Sequence, residues 1–395
     1  MTSHFCRRLA VACLGFAAIA VSAKDSKKAA LEPGAIDLSG FHDSAHHWRE
    51  IRDEGRFIKV EPNQPSYAPT QVREIASNIL LFQRANGGWP KDYDMAAVLT
   101  EAQMAKVRET HDREDTSFDN GNLHSQVAYL ARAYTMHKEP AWRAACERGL
   151  DFILAAQYAN GGWPQRFPKP RDFHAHITFN DYVMIGCLHV LEDAADGEPH
   201  FAWLDADRRA KARDAVCRGV ECILKCQIRV DANLTGWCQQ HDEKTYEPRP
   251  GRTFELASIC PQDTTEIVRF LMRIEKPNAE MVAAMDAAVA WLKKAQLSGV
   301  RVDKVKAKKE EFQRHTADFD KVVVADASAP PLWARHYEIG TDRPVFAGRD
   351  AVKKYALAEI ERERRTGTPW YGTWPAKLIE KDYPKWRERI IGVTN

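Results

Sequence analysis

NLHSQVAYLARAYTMHKEPAWRAACERGLDFILAAQYANGGWP, residues 122–164, decides the fold. Leu123, Val127, Leu130 and Tyr134 recur at helical spacing through residue 137. Pro140 then opens a second helix that runs to residue 159. So short a link makes an antiparallel helical hairpin. The hairpin ends in Asn-Gly-Gly-Trp-Pro at 160–164, and the same five residues stand at 86–90, 74 residues earlier. Each copy follows a helix. Gly-Gly lets the backbone leave the helix sharply, and Pro fixes the exit.

Further helices are expected over 70–85, 180–194, 208–227, 263–276, 278–296 and 349–365. Val72, Ile75, Ile79 and Phe82 set the period of the first. Residues 263–276 and 278–296 form another hairpin. A 74-residue period exceeds that of the usual solenoid repeats. It suits helical hairpins that close on themselves as an α/α toroid, all-α dominated, with functional loops at one end. The catalytic domain is placed at 69–395 and an irregular segment with several prolines at 24–68. VRVDKVKAKKEEF at 300–312 is a charge run, read as a solvated face or hairpin, with a short strand in its alternating VRVDKV.

The chain opens with Arg7 and Arg8, an apolar run over Leu9–Val21, and the small-residue pattern Val21-Ser22-Ala23. This is the pattern of a secretory signal peptide cleaved after Ala23 and of a periplasmic or secreted protein. The run is too short to span a bilayer. Cleavage removes two of 57 basic residues, leaving 55 to balance 55 acidic ones. A neutral mature chain is no nucleic-acid binder by net charge, although a local basic cleft can still hold an anion. Of nine cysteines, Cys146, Cys187, Cys217, Cys222, Cys226, Cys238 and Cys260 remain. Their odd number leaves a thiol free, and the Cys222/Cys226 spacing suits helix packing.

Four stretches carry polar, aromatic and charged residues without helical period: TSFDNGN (116–122), HAHITFND (174–181), GWCQQHDEKTYEPRPGRTFELAS (236–258) and WARHYEIGTDRPVFAGRD (333–350). Loops of this kind commonly carry function. Asp119-Asn120 and Asn180-Asp181 are each placed to cap a helix. Two such pairs converging also suit a hard cation such as Ca²⁺, or a carboxylate pair hydrolysing a glycosidic bond. Arg249, Arg252, Arg335, Arg343 and Arg349 supply bidentate donors for carboxylates or pair with nearby acids. Trp89, Trp163, Trp370, Tyr371 and Trp374 are candidates for stacking on sugar rings or for packing. His174 and His176 lack an obvious third metal ligand. Asn180, Arg343, Trp163, Arg166 and His176 complete the expected substrate contacts.

NGGWPKDYD, FDNG, QVAYLARAY, NGGWPQRFP, HITFND, WCQQHDEKTYEP, RTFELAS, WARHYEIGTDRPVFAGRD, WYGTWP and YPKW, in this order, resemble polysaccharide lyase family 10, the family-10 pectate lyases, over about residues 70–386. The resemblance implies an (α/α)3 toroid and Ca²⁺-dependent β-elimination of polygalacturonate, an anionic polysaccharide, by a monomer. It assigns Asp119, Asn120 and Asp181 to the Ca²⁺ site, with Asp119 also counted as catalytic. Arg252 is assigned as the Brønsted base and Arg335 as the arginine that takes a substrate carboxylate. Asn122-Leu123-His124-Ser125 and Cys260-Pro261-Gln262-Asp263-Thr264 depart from the family pattern. Arginine is ordinarily always protonated. Neighbouring positive charge is expected to push Arg252 toward neutrality, with an activity optimum above pH 7. A glycoside hydrolase using Asp119 and Asp181, or a non-catalytic uronate-binding protein, stand as alternatives.

Overall fold

The computed structural model describes residues 31–394. The signal peptide and its cleavage after Ala23 lie outside them. The helices are α1 (His42–Glu50), α2 (Val72–Phe82), α3 (Glu101–Arg108), α4 (His124–His137), α5 (Pro140–Ala156), α6 (Val183–Asp196), α7 (Ala206–Cys226), α8 (Pro261–Leu271), α9 (Ala279–Lys294), α10 (Arg362–Gly367) and α11 (Tyr383–Thr394). The strands are β1 (Ile177–Thr178), β2 (Arg229–Val230), β3 (Asn233–Leu234), β4 (Gln240–His241), β5 (Pro248–Arg249), β6 (Val300–Glu311), β7 (Thr316–Ala325), β8 (Trp333–Ala334), β9 (Phe346–Ala347), β10 (Lys353–Lys354) and β11 (Tyr371–Gly372).

The architecture is mixed, 44% helix and 14% strand in several small sheets, which corrects the all-α (α/α)3 toroid expected from the sequence. The two expected hairpins do form, α4 packing on α5 and α8 on α9, and α6 packs on α7 besides. What the helical period could not show is how the loops between them are held. Pairing of β1–β4–β5, β8–β11 and β9–β10 gives those loops backbone partners that no side-chain periodicity announces. The 300–312 charge run is strand β6, paired antiparallel with β7 in a long hairpin.

Two segments differ from expectation. Residues 349–365 hold strand β10 and only a short α10. The side chain of Asp350 accepts from the Val352 amide at 3.0 Å, and that of Glu359 from the amides of Tyr355 and Ala356 at 3.1 and 2.8 Å. Such local bonds compete with helix formation. Residues 24–68 contain α1, whose Trp48 is buried. The free thiols of Cys146, Cys187, Cys222, Cys226, Cys238 and Cys260 are buried.

The NGGWP turns set the frame of the site. Gly87 and Gly161 both have φ of +92°, and a Cβ there would meet the carbonyl oxygen of Arg148 or Arg218 at 2.6 or 2.0 Å. Only glycine tolerates both that dihedral and so close an approach of α5 or α7. Trp89 donates its indole N–H to the Ile79 carbonyl at 2.7 Å, and Trp163 donates to that of Ile153 at 2.9 Å. Gln83, at the end of α2, donates to the carbonyls of Gly87 and Ala145, both at 2.9 Å. Gln157, at the end of α5, does the same to Gly161 and Ala215 at 3.0 and 2.9 Å. Each turn is thereby fastened to the helix before it and to a second helix, α5 for the first turn and α7 for the second.

A third turn of this kind was not read from the sequence. Thr235-Gly236-Trp237 stands after α7, with Trp237 as far beyond Trp163 as Trp163 is beyond Trp89. Trp237 donates to the Ile223 carbonyl at 2.8 Å, and Gln227 to those of Thr235 and Ala284. Ile-Leu followed by Gln four residues after the Ile, at 79–83, 153–157 and 223–227, was the available signal. Trp333 adds a fourth buried indole, donating to the Leu292 carbonyl at 2.7 Å.

Candidate active site

The carbonyls of three of these tryptophans each hold one site loop. The Trp89 carbonyl accepts from the Ser117 amide at 3.1 Å, Trp163 from Thr178 at 3.0 Å, and Trp237 from Cys260 at 2.8 Å. Two residues beyond each anchored amide stand Asp119, Asn180 and Gln262. Two residues beyond each tryptophan stand Lys91, Gln165, Gln239 and Arg335. These two sets meet. Lys91 is bonded to the carboxylate of Asp119, and Gln165 donates to its other oxygen at 2.8 Å. Gln239 and Arg335 donate to Asn180 Oδ1 at 2.7 and 3.2 Å, and Arg335 to Gln262 Oε1 at 3.3 Å.

Arg252 closes the cluster. It donates to Glu255 Oε1 at 2.8 Å and to Asp119 Oδ2 at 3.4 Å, and lies 4.0 Å from Asp181. Asn180 donates to Asp181 Oδ2 at 2.8 Å. Asp181 and Tyr182 both have positive φ, 54° and 61°, two strained residues in succession. They stand where the chain passes from β1 into α6.

The electrostatics are those of a carboxylate pair in a basic frame. Burial alone would raise the pKa of Asp119, but Lys91 and then Arg252 outweigh it and hold it far below the usual range. Burial and the charge of Asp119 push Asp181 well above the usual range, against the pull of Arg252. Asp119 is thus held toward its charged form and Asp181 toward its neutral one, each carboxyl acting on the other. Burial disfavours the charge on Lys91, yet Asp119 and Asp92 raise its pKa. Burial also disfavours the charge on Arg252, and Glu255, Asp119 and Asp181 reverse that and raise it. This runs opposite to the expected drift toward neutrality, because the nearest groups are carboxylates rather than other cations.

The expected substrate residues fare differently. Asp119, Asn180, Asp181, Arg252 and Arg335 come together. Asn120 is buried beside them but turns its amide to Asp92 Oδ1 at 2.6 Å. Arg166 is exposed next to the His174 carbonyl, with no ion pair among the described residues. His176 is paired with Glu243 at 3.1 Å. Arg343 stacks over Tyr355 at 3.8 Å, away from the cluster. Trp163 is fully buried, as are Trp89 and Trp370, so these rings pack and do not face a sugar. Lys91, Gln165 and Gln239 were missed; their shared offset from a tryptophan was the signal.

Asp119 and Asp181 fit a hard divalent cation by donor chemistry: two neighbouring carboxyls that disfavour each other's charge are relieved by a divalent cation. Among the described residues no cluster of three or more His, Cys, Asp or Glu ligands exists. Any further ligands would be neutral oxygens, water or substrate.

A profile of the pectic acid lyase family matches residues 83–379. No curated protein matches the chain. Among solved structures, a family 10 polysaccharide lyase from Cellvibrio cellulosa is 29% identical, with a TM-score of 0.68, over 78% of this chain and 90% of that one. An aspartate-to-alanine mutant of the family 10 lyase from that organism, in complex with trigalacturonic acid, is 28% identical, with a TM-score of 0.68, over 78% and 91%. The chain belongs to the pectic acid lyase family, the family-10 polysaccharide lyases, and is an enzyme of the pectate lyase class.

Proposed function

We propose that the enzyme is exported and cleaves polygalacturonate by Ca²⁺-dependent β-elimination. The observation that carries this is the meeting of Asp119 and Asp181 with Arg252 and, through Asn180, with Arg335. The binding of trigalacturonic acid by the similar Cellvibrio lyase mutant supports a uronate substrate. Export rests on Arg7, Arg8, the apolar run after them and Val21-Ser22-Ala23.

The reaction removes the proton on C5 of a galacturonate, α to its carboxylate. Negative charge builds on that carboxylate, the C4–O bond breaks, a C4–C5 double bond forms, and the leaving oxygen takes a proton. Asp119 and Asp181 would hold the cation, which when bound stabilises the charge on the substrate carboxylate. Arg335, held by Asn180 and Gln262, presents its guanidinium for a carboxylate. Arg252 takes the base role that family resemblance gives it. With Asp119 and Asp181 engaged as metal ligands, Glu255 is the remaining carboxylate that holds Arg252 charged. The neutral form then gains with rising pH, which places the optimum above neutrality.

The test is incubation with polygalacturonate, with and without a chelator, while following the ultraviolet absorbance of the unsaturated uronate. Absorbance that grows only with Ca²⁺ supports the proposal. New reducing ends without absorbance would mean hydrolysis, and binding without either product would mean a non-catalytic uronate binder.

A further inference from the structure

We propose that the β6–β7 hairpin is a docking surface for the polyuronate chain, separate from the catalytic cluster. This rests on the uronate-polymer reading above. Strand β6 carries Arg301, Lys304, Lys306, Lys308 and Lys309 against Asp303, Glu310 and Glu311. All three acids are consumed. Asp303 is paired with Arg301 at 2.8 Å, Glu310 with Arg362 at 3.2 Å, and Glu311 with Arg52. Lys304, Lys306, Lys308 and Lys309 are exposed and have no ion pair among the described residues.

The backbone displays these amines. Lys306 pairs with Phe319 and Glu310 with Ala317, so Ala307, Lys308 and Lys309 stand opposite Asp318 alone. Such a bulge bends a strand and re-aims its side chains. Lys304 and Lys306 lie on one face, about 7 Å apart by strand geometry. The half-buried ring of Phe319 shares that face, with Lys304 Nζ 4.9 Å from its centroid. An aromatic ring among unpaired cations on an extended strand is complementary to an extended polymer with a carboxylate on every sugar. Long substrate would be held there while one segment occupies the Asp119–Arg252 cluster.

The test compares wild type with K306Q/K308Q/K309Q, and with K308Q/K309Q as a milder variant confined to the bulge. Circular dichroism checks that both fold. The triple variant is expected to raise KM on polygalacturonate about threefold to tenfold, and to flatten its dependence on salt. Its kcat and KM on trigalacturonic acid are expected to stay at wild-type values, because none of these lysines is bonded to the Asp119–Arg252 cluster. Retention in an affinity gel containing polygalacturonate falls, and migration in a neutral-polymer gel does not change. Unchanged KM on the polymer and unchanged retention overturn the proposal and leave the lysines as protection of an exposed strand edge. If wild type gives no unsaturated product from any uronate, the lyase mechanism fails by itself; wild-type against variant retention in the gel still decides the hairpin.

Discussion

Glu255 grips Arg252 at two points: Oε1 accepts from the guanidinium at 2.8 Å, and Oε2 accepts from the Arg252 backbone amide at 2.9 Å. Gly251 leaves the room, since a Cβ there would meet Glu255 Oε2 at 2.6 Å. The Arg252 guanidinium is thus fixed relative to its own backbone. E255Q keeps the shape and weakens the grip. We expect kcat on polygalacturonate to fall about 10- to 100-fold with KM within about twofold, as positioning effects do. Removing this carboxylate also removes the largest favourable charge on Arg252, so the residual pH profile should shift toward lower pH. Equal loss in kcat and rise in KM, with no pH shift, would contradict the role.

Chelation tests the carboxylate pair. Ca²⁺ at about a hundred times its Kd should stabilise the fold by about 2.7 kcal/mol, seen as a rise in Tm. D181N should abolish that increment and reduce activity at least 100-fold. Because Asp181, whose pKa is raised, must lose its proton before it can bind a cation, apparent Ca²⁺ affinity should fall as pH is lowered. A pH-independent affinity measured by calorimetry would place the cation elsewhere.

Trp163 separates packing from sugar stacking. Its ring is fully buried, and its N–H is given to the Ile153 carbonyl at 2.9 Å. W163F should lose about 1–3 kcal/mol of stability through the lost bond and the void. KM for trigalacturonic acid should not move at a temperature where the variant is folded. A KM rise in a variant of wild-type Tm would return the ring to the substrate.

Asp263, in the first turn of α8, is pushed by burial up to about 6, with Arg335 pulling the other way. A carboxyl with a folded pKa above its unfolded value contributes most stability at pH below the unfolded value. That contribution is lost as pH rises from about 4 through about 6. D263N, which cannot ionise, should therefore be more stable than wild type at pH 7 by up to about 2–3 kcal/mol. The gain should shrink toward zero near pH 4. Denaturant titrations of both proteins across that range check the sign.

Much of the candidate site was legible because its residues sit in loops where helical period breaks off. Asp119, Asn180, Asp181, Arg252 and Arg335 stood out as charge and amide in aromatic loops. Lys91, Gln165 and Gln239 did not, because a single lysine or glutamine after a turn looks like any solvated residue. Their meaning lies in the offset from a tryptophan, which matters only once each indole is known to be buried. Trp163 was misplaced for the same reason: an aromatic beside a glycine pair suits a sugar platform and a core anchor equally.

The sequence by itself determined where helices α2 and α4 to α9 fall, since period and caps are local properties of a chain. It also determined the repeated glycine turn, because only glycine accepts +92° beside a carbonyl. Tertiary structure alone decided that the loops are tied into small sheets, because strands of two residues leave no periodic trace. It alone decided which charges surround Arg252. A guanidinium responds to whatever lies within a few ångströms, and Glu255, Asp119 and Asp181 reach it from loops as far as 133 residues apart in the chain.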